Sequence, residues 1–371
     1  MKESYHLVKA TLKLGLALSA LTLWWPGTPS MAQVAGDDVT HPPPVEGDGS
    51  TATRCESASA SLSYIPGRGL HIGETGLVLG GYSSIDLVRD EGAPARLTLA
   101  NVSLFVMFQL SERFSFFSEI EYENLFSIDT NGDAGSPDER FAAERLYVDF
   151  SFNDRLEVRA GKFLTPVGRW NVIHAQPLVW TTSRPLVTEV PFDKNTTGVM
   201  LSGNLFDGRL GYDLFGQFTD ELQAAPHGTR ADRSGGARLT LDVAPGLSLG
   251  GTYVGFRSRN EWFHLVGIDA LWQRGPLEWM TEMTFDEGAG ASGSQWGAYT
   301  QLAARILPRV YAVGRYEYFA ARGANRGLNQ VVLGAAFRLR PYAIFKVEYQ
   351  ILDHSSPLTS AGFRSSFALL F

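Results

Sequence analysis

The segment that decides the fold is Tyr342-Ala343-Ile344-Phe345-Lys346-Val347-Glu348-Tyr349-Gln350-Ile351-Leu352-Asp353. Ala343, Phe345, Val347, Tyr349 and Ile351 fall on one side of a period-two pattern; Tyr342, Ile344, Lys346, Glu348 and Gln350 fall on the other. Successive strand residues point to opposite faces, so one face here is fully apolar and the other carries charge. If the apolar face meets acyl chains, Lys346 and Glu348 must point away from them. A Lys or Arg facing the bilayer midplane costs about 2–4 kcal/mol. Unpaired backbone groups are also intolerable in hydrocarbon, so strands of this kind must close into a ring.

The same alternation recurs in Leu97–Leu110, Phe114–Phe126, Phe141–Phe152, Arg209–Thr219, Leu277–Asp286 and Gln295–Ile306. No sustained 3.6-residue pattern appears after residue 74. Tight-turn residues punctuate the chain at Ser111-Glu112-Arg113, Asn153-Asp154, Asp207-Gly208, Pro245-Gly246, Gly275-Pro276, Leu307-Pro308 and Arg340-Pro341. Between them lie other connections near 91–94, 127–138, 164–195, 220–233, 257–260, 288–293, 321–327 and 354–359. Seven turns and eight loops predict sixteen strands, with both ends of the sheet on one side. The expected fold is all-β: a transmembrane antiparallel β-barrel over 74–371, wide enough to hold water. A sandwich would have shorter strands, and a propeller would repeat every ~40 residues with a blade signature; neither pattern is present.

Composition agrees. Of 371 residues, 44% are hydrophobic and 19% charged, and mean hydropathy is -0.07. That excludes a bundle of apolar helices but not a barrel, in which alternating faces average out. A net charge of -7 argues against nucleic acid as a partner, because binding phosphates needs a basic surface. A single cysteine, Cys55, excludes a disulfide framework and a cysteine-based zinc site.

The first residues read as a secretory signal peptide, 1–32. Lys2, Lys9 and Lys13 precede the apolar run Leu14–Trp25, and Ser30-Met31-Ala32 offers small residues for cleavage. The run is too short for a spanning helix, which needs roughly 20 residues. Residues 33–73, with Pro42-Pro43-Pro44 and a Ser/Ala/Thr-rich stretch around Cys55, read as a flexible periplasmic linker. At the other end Phe363, Ser365, Phe367, Leu369 and Phe371 alternate with Arg364, Ser366, Ala368 and Leu370. An amphipathic last strand ending on an aromatic residue resembles the closing strand of bacterial outer-membrane barrels.

One connection is out of proportion. Residues 164–195 are the third long connection, and loops of such length carry function more often than not. They are expected to fold into the lumen and narrow it. The candidates for setting the field at the narrowing are Arg169, Arg184 and Lys194 against Glu189 and Asp193, with Trp170, Asn171 and His174 beside them. Inward-facing positions predicted to line the lumen are Glu119, Glu121, Arg145, Arg159, Arg315, Lys346 and Glu348.

The run Arg159-Ala160-Gly161-Lys162-Phe163-Leu164-Thr165-Pro166-Val167-Gly168-Arg169-Trp170-Asn171 resembles the G-K-F-x-T-P-x-G signature of the phosphate-selective porin O and P family. That resemblance covers residues 145–200. It implies a trimeric sixteen-stranded outer-membrane channel whose third loop folds inward. Phosphate selectivity is not carried over with it. Strong anion preference needs a ring of one sign, whereas Arg145, Arg159, Arg209, Arg238 and Lys346 are here matched by Glu119, Glu121, Asp149, Glu282 and Glu348 on the same faces.

Other motifs carry less. Gly161-Lys162 lacks the glycine spacing of a phosphate loop. The seven histidines never fall at i and i+4, so no zinc-protease pattern exists. Asp129, Asn131 and Asp133 begin like a calcium loop, but Ala134 and Arg140 occupy the positions that need Gly and Glu. Trp262, Trp272, Trp279 and Trp296 near strand ends suit interfacial belts. The sequence therefore predicts an outer-membrane porin passing small hydrophilic solutes or ions by diffusion. It would be bounded by lipid and assembled as a homotrimer, with no catalytic residue, metal or cofactor. A surface enzyme or an adhesin built on the same barrel is the alternative.

Overall fold

A computed structural model describes residues 61–371, apart from 137–138, 221, 223–228 and 291–292. The signal peptide and Cys55 lie outside the described residues. A short hairpin, β1 (Leu62–Ile65) and β2 (Gly69–Ile72), leads into the long strands. These are β3 (Leu77–Asp90), β4 (Arg96–Ser111), β5 (Phe114–Asp129), β7 (Arg140–Asn153) and β8 (Leu156–Leu164), with a two-residue β6 (Ala134–Gly135) inside a loop. After the long connection come β9 (Asn195–Leu205), β10 (Leu210–Gln217), β11 (Arg233–Ala244), β12 (Leu247–Ser258) and β13 (Glu261–Arg274). The circuit finishes with β14 (Leu277–Gly288), β15 (Ser294–Leu307), β16 (Val310–Ala320), β17 (Leu328–Arg340), β18 (Ala343–Leu352) and β19 (Gly362–Leu370).

Each long strand pairs antiparallel with the next, and β19 pairs with β3 from Gly362↔Asp90 to Leu370↔Tyr82. Sixteen strands thus close without an edge, as a wall in hydrocarbon requires. The last bonds of the seam join Phe371 and Gly81, N to O in both directions at 2.9 Å. Below them, β3 extends past the end of β19, and β2 takes up its free edge through Leu70↔Leu79 and Ile72↔Leu77. Part of the stretch expected to be linker is therefore this hairpin, which corrects the boundary. The physical reason is the same edge: β3 starts five residues before β19 can reach it.

All seven expected tight turns join neighbouring strands, and the eight other connections lie at the opposite end, one of them only the two residues Arg259-Asn260. The alternation read in β18 holds in three dimensions. Ile344, Lys346, Glu348 and Gln350 are buried inward at 1–3% exposure, while Phe345, Tyr349 and Ile351 are exposed on the outer wall. Four tryptophans on three neighbouring strands mark the two ends of the outer wall. Trp272 pairs with Trp279 near the turn end, whereas Trp262 and Trp296 stand near the loop end. Trp262 and Trp272 are ten residues apart, and strands of ~3.3 Å per residue tilted by ~40° put them about 25 Å apart along the barrel axis. That is the height of an apolar membrane band.

Candidate functional site

The long connection starts where the glycine-rich motif ends β8. Gly161 has φ +134°, and a Cβ there would lie 2.2 Å from the Leu146 carbonyl oxygen, so this position needs glycine. Gly168 has φ +61°, and a Cβ would sit 1.8 Å from Glu282 Oε2. Between them the motif builds the root of the loop. The Thr165 hydroxyl donates to Asp193 O at 2.7 Å and contacts the Thr196 hydroxyl at 2.9 Å, while Thr165 N donates to Lys194 O at 2.9 Å. Asn171 Nδ2 donates to the Thr165 and Lys194 carbonyls at 2.7 and 3.0 Å, tying the outgoing and returning chains together. The Lys162 ammonium donates to Leu222 O at 2.6 Å. The motif is thus a loop foundation, which explains why it signals architecture and not a solute.

From that root the loop runs against the inner wall on the far side. It contains one helical turn, Trp170–Ile173, and two 3-10 turns, Gln176–Leu178 and Leu186–Thr188. Wall carboxylates accept its N–H groups. Glu282 takes Trp170 N at 2.8 Å, Glu278 takes Trp180 Nε1 at 2.6 Å, and Glu348 takes Thr182 N and Ser183 N, both at 2.8 Å. Wall cations take its carbonyls. Arg315 Nη1 donates to Ser183 O at 2.8 Å, and Lys346 Nζ donates to Gln176 O and Thr181 O at 2.9 and 3.1 Å. Apolar contacts fill the rest, with Trp170, Val179, Leu186 and Val187 packed on Met280, Tyr299, Phe319 and Leu328.

The eight loop candidates divide by what they touch. Arg169 reaches Asp269 at 2.5 Å and Ser248 Oγ at 2.9 Å, and borders open space. Lys194 is bonded to Glu144 at 2.6 Å. Arg184 folds back on its own loop, donating to Asn171 Oδ1 at 2.6 Å and Thr188 O at 2.5 Å. Asp193 accepts Ala231 N at 3.2 Å, and burial raises its pKa to about 6. Trp170 and Asn171 are fully packed, at 2% and 0% exposure. His174 is held neutral by burial beside Lys194, Arg145 and Arg184. Glu189 is exposed. Arg169 and Lys194 thus pair with wall carboxylates, while Arg184 bonds within the loop and has Glu189 as its strongest opposing charge. A loop packed in a confined space must satisfy its own charges at close range, because an unpaired buried ion is costly.

The lumen candidates are also engaged. Arg145 pairs with Glu119 at 2.5 Å, Arg159 with Asp149 at 2.7 Å, and Glu121 accepts the Tyr82 hydroxyl at 3.2 Å. Arg315, Lys346 and Glu348 hold the loop. Sequence reasoning did not single out Asp269, although inward parity along β13 (263, 265, 267, 269) carries that signal. It also passed over an inward aromatic row on neighbouring strands. Tyr82, Phe105, Phe117 and Tyr147 have successive ring centroids 5.7, 5.5 and 5.3 Å apart, and Arg145 and Arg159 lie over Phe117 and Tyr147 at 4.6 and 3.8 Å.

At the turn end the barrel holds a cavity of about 1630 Å³. Its ceiling is the loop (Leu164, Pro166, Val172, Ile173, Ala175, Leu178), and its wall carries Arg145, Arg159, Arg209 and Arg238 with Asp149, Asp213 and Asp242. Among the described residues no group of three or more His, Cys, Asp or Glu is arranged to hold a metal ion.

No family model matches the chain. An uncharacterised protein of Aquifex aeolicus (strain VF5) is 27% identical over 133 residues, which is 35% of this chain and 29% of that protein. Among solved structures, OmpF of Salmonella typhi (in complex with daunomycin) superposes with a TM-score of 0.60 at 9% identity, covering 84% of this chain and 99% of that one. An anion-selective porin from Comamonas acidovorans gives 0.55 at 14% identity, with coverage of 80% and 99%. The outer-membrane channel DcaP of Acinetobacter baumannii gives 0.56 at 11% identity, with coverage of 80% and 96%. At such identities the likeness concerns architecture, and it shows that this chain has the sixteen-stranded barrel fold of outer-membrane porins.

Proposed function

We propose that the protein is a bacterial outer-membrane channel through which small hydrophilic solutes or ions diffuse passively, with the 164–195 connection restricting the lumen. The observation that carries this reading is the division of the wall. Its outer face is apolar, with tryptophans at both ends of β13–β15, and its inner face bears paired charges such as Arg159–Asp149 and Arg238–Asp269. Paired charges of both signs favour polar solutes without a strong preference for one sign. The motif at the loop root supports an architecture shared with the phosphate-selective porin O and P family, and the alternating wall charges argue against their phosphate preference. A homotrimer is supported by a structural neighbour, OmpT of Vibrio cholerae, solved in a trimer form.

Liposome swelling with sugars of graded size tests the proposal. Vesicles carrying a variant deleted for residues 170–185 swell in the smaller sugars, faster than vesicles carrying the intact protein. If neither protein admits the smallest sugar, the channel reading is wrong.

A further inference from the structure

The porin reading asks the loop to narrow the bore, but the packing goes further. Each of the sixteen strands places at least one side chain of 5% exposure or less on the inner face, from Tyr82, Ser103 and Glu119 on one side to Glu282, Arg315 and Lys346 on the other. Tyr147, Asp149 and Arg238 among them border the cavity at the turn end, so it is the contacts of the loop that bear on closure. Wall aromatics Phe105, Phe117 and Phe215 join loop residues Val167, Ala175 and Phe192 in one apolar cluster. The loop residues Leu164, Pro166, Val172, Ile173, Ala175 and Leu178 border the cavity at the turn end. We infer that the 164–195 loop shuts the bore in this conformation, so that the channel is closed at rest and conducts only when the middle of the loop leaves the far wall. This inference rests on the channel reading above.

The way the loop is attached says which part moves. Its two ends are locked to each other at Thr165, Asn171 and Lys194, next to the strands that carry them. The stretch Gln176–Ser183 has a different attachment. It is held to β14, β16 and β18 by Glu278, Arg315, Lys346 and Glu348, through hydrogen bonds that water can replace, and by Trp180 packed on Ala303, Val313 and Ile344. These contacts join residues 98 or more positions apart in sequence, so they can release without disturbing any strand pairing. Gly168, at φ +61°, stands at the base of the moving part.

Single-channel recording in planar bilayers tests the inference, with four proteins that each show the heat-modifiable mobility of a folded barrel. The intact protein is expected to be shut for most of the record, with brief openings. The release variant Glu348→Gln is expected to be open at least tenfold more of the time. A Thr182→Cys/Glu348→Cys pair in a Cys55→Ser background, bridged by a short bis-methanethiosulfonate, is expected to lose its openings and to regain them with reductant. The 170–185 deletion is expected to stay open. Steady conductance in the intact protein, unchanged by the bridge, overturns the closed state while leaving the channel reading intact. Silence in all four proteins, the deletion included, overturns the channel reading and the inference with it.

Discussion

At the scale of single residues, charges on the inner face of this barrel are used to hold the loop. Glu348 accepts two loop N–H groups, and Arg315 and Lys346 cover loop carbonyls. Asp193 is informative, because the Ala231 N–H and the charges of Lys162 and Arg230 offset its burial only in part. An unfolded Asp releases its proton near 3.8, and the buried one near 6. Between those values the folded protein binds more protons than the unfolded chain. Stability therefore falls as pH rises through this window, by on the order of 1–3 kcal/mol once the site is ionised. Urea unfolding in detergent at pH 4 and pH 7 is expected to show that loss. In Asp193→Asn, which keeps an acceptor for Ala231 N and cannot ionise, the difference shrinks. An equal loss in both proteins would assign it elsewhere.

At the scale of elements, strands and turns were legible because their determinants are local. Alternation fixes which face of β18 meets lipid, and Asp207-Gly208 or Gly275-Pro276 fixes where a strand must reverse. The hairpin β1–β2 was not legible. Its pairing is dictated by how far β3 overshoots β19, a property of two strands almost 300 residues apart. The loop was legible as an outlier in length, but its contacts were not. Thr182 meets Glu348 across 166 positions, and no local pattern says which inward residue will face which loop residue. The lipid-facing assignment makes its own prediction. Leu333, mid-strand on β17 and 56% exposed, faces outward. Leu333→Arg should destabilise the barrel by about 2–4 kcal/mol in bilayers, read as a lower midpoint in the unfolding of protein reconstituted in vesicles. Leu333→Phe should be nearly neutral.

At the scale of the whole molecule, sixteen strands form an edgeless cylinder, with outward tryptophans at the two ends of β13–β15 about 25 Å apart. The 164–195 connection is hydrogen-bonded to wall residues such as Glu282 and Glu348, and a cavity opens toward the short turns. The charge read from the sequence as a mixture is arranged as neighbouring pairs around the wall. All of this depends on the cylinder separating acyl chains from the loop and lumen. Nitroxide scanning of β18 in lipid bilayers, one residue at a time in a Cys55→Ser background, measures that separation most directly. Labels at 345, 347, 349 and 351 are expected to collide readily with oxygen dissolved in the acyl chains, and labels at 344, 346, 348 and 350 to be shielded from it. Equal oxygen accessibility for the two sets, or the reverse order, would contradict the account.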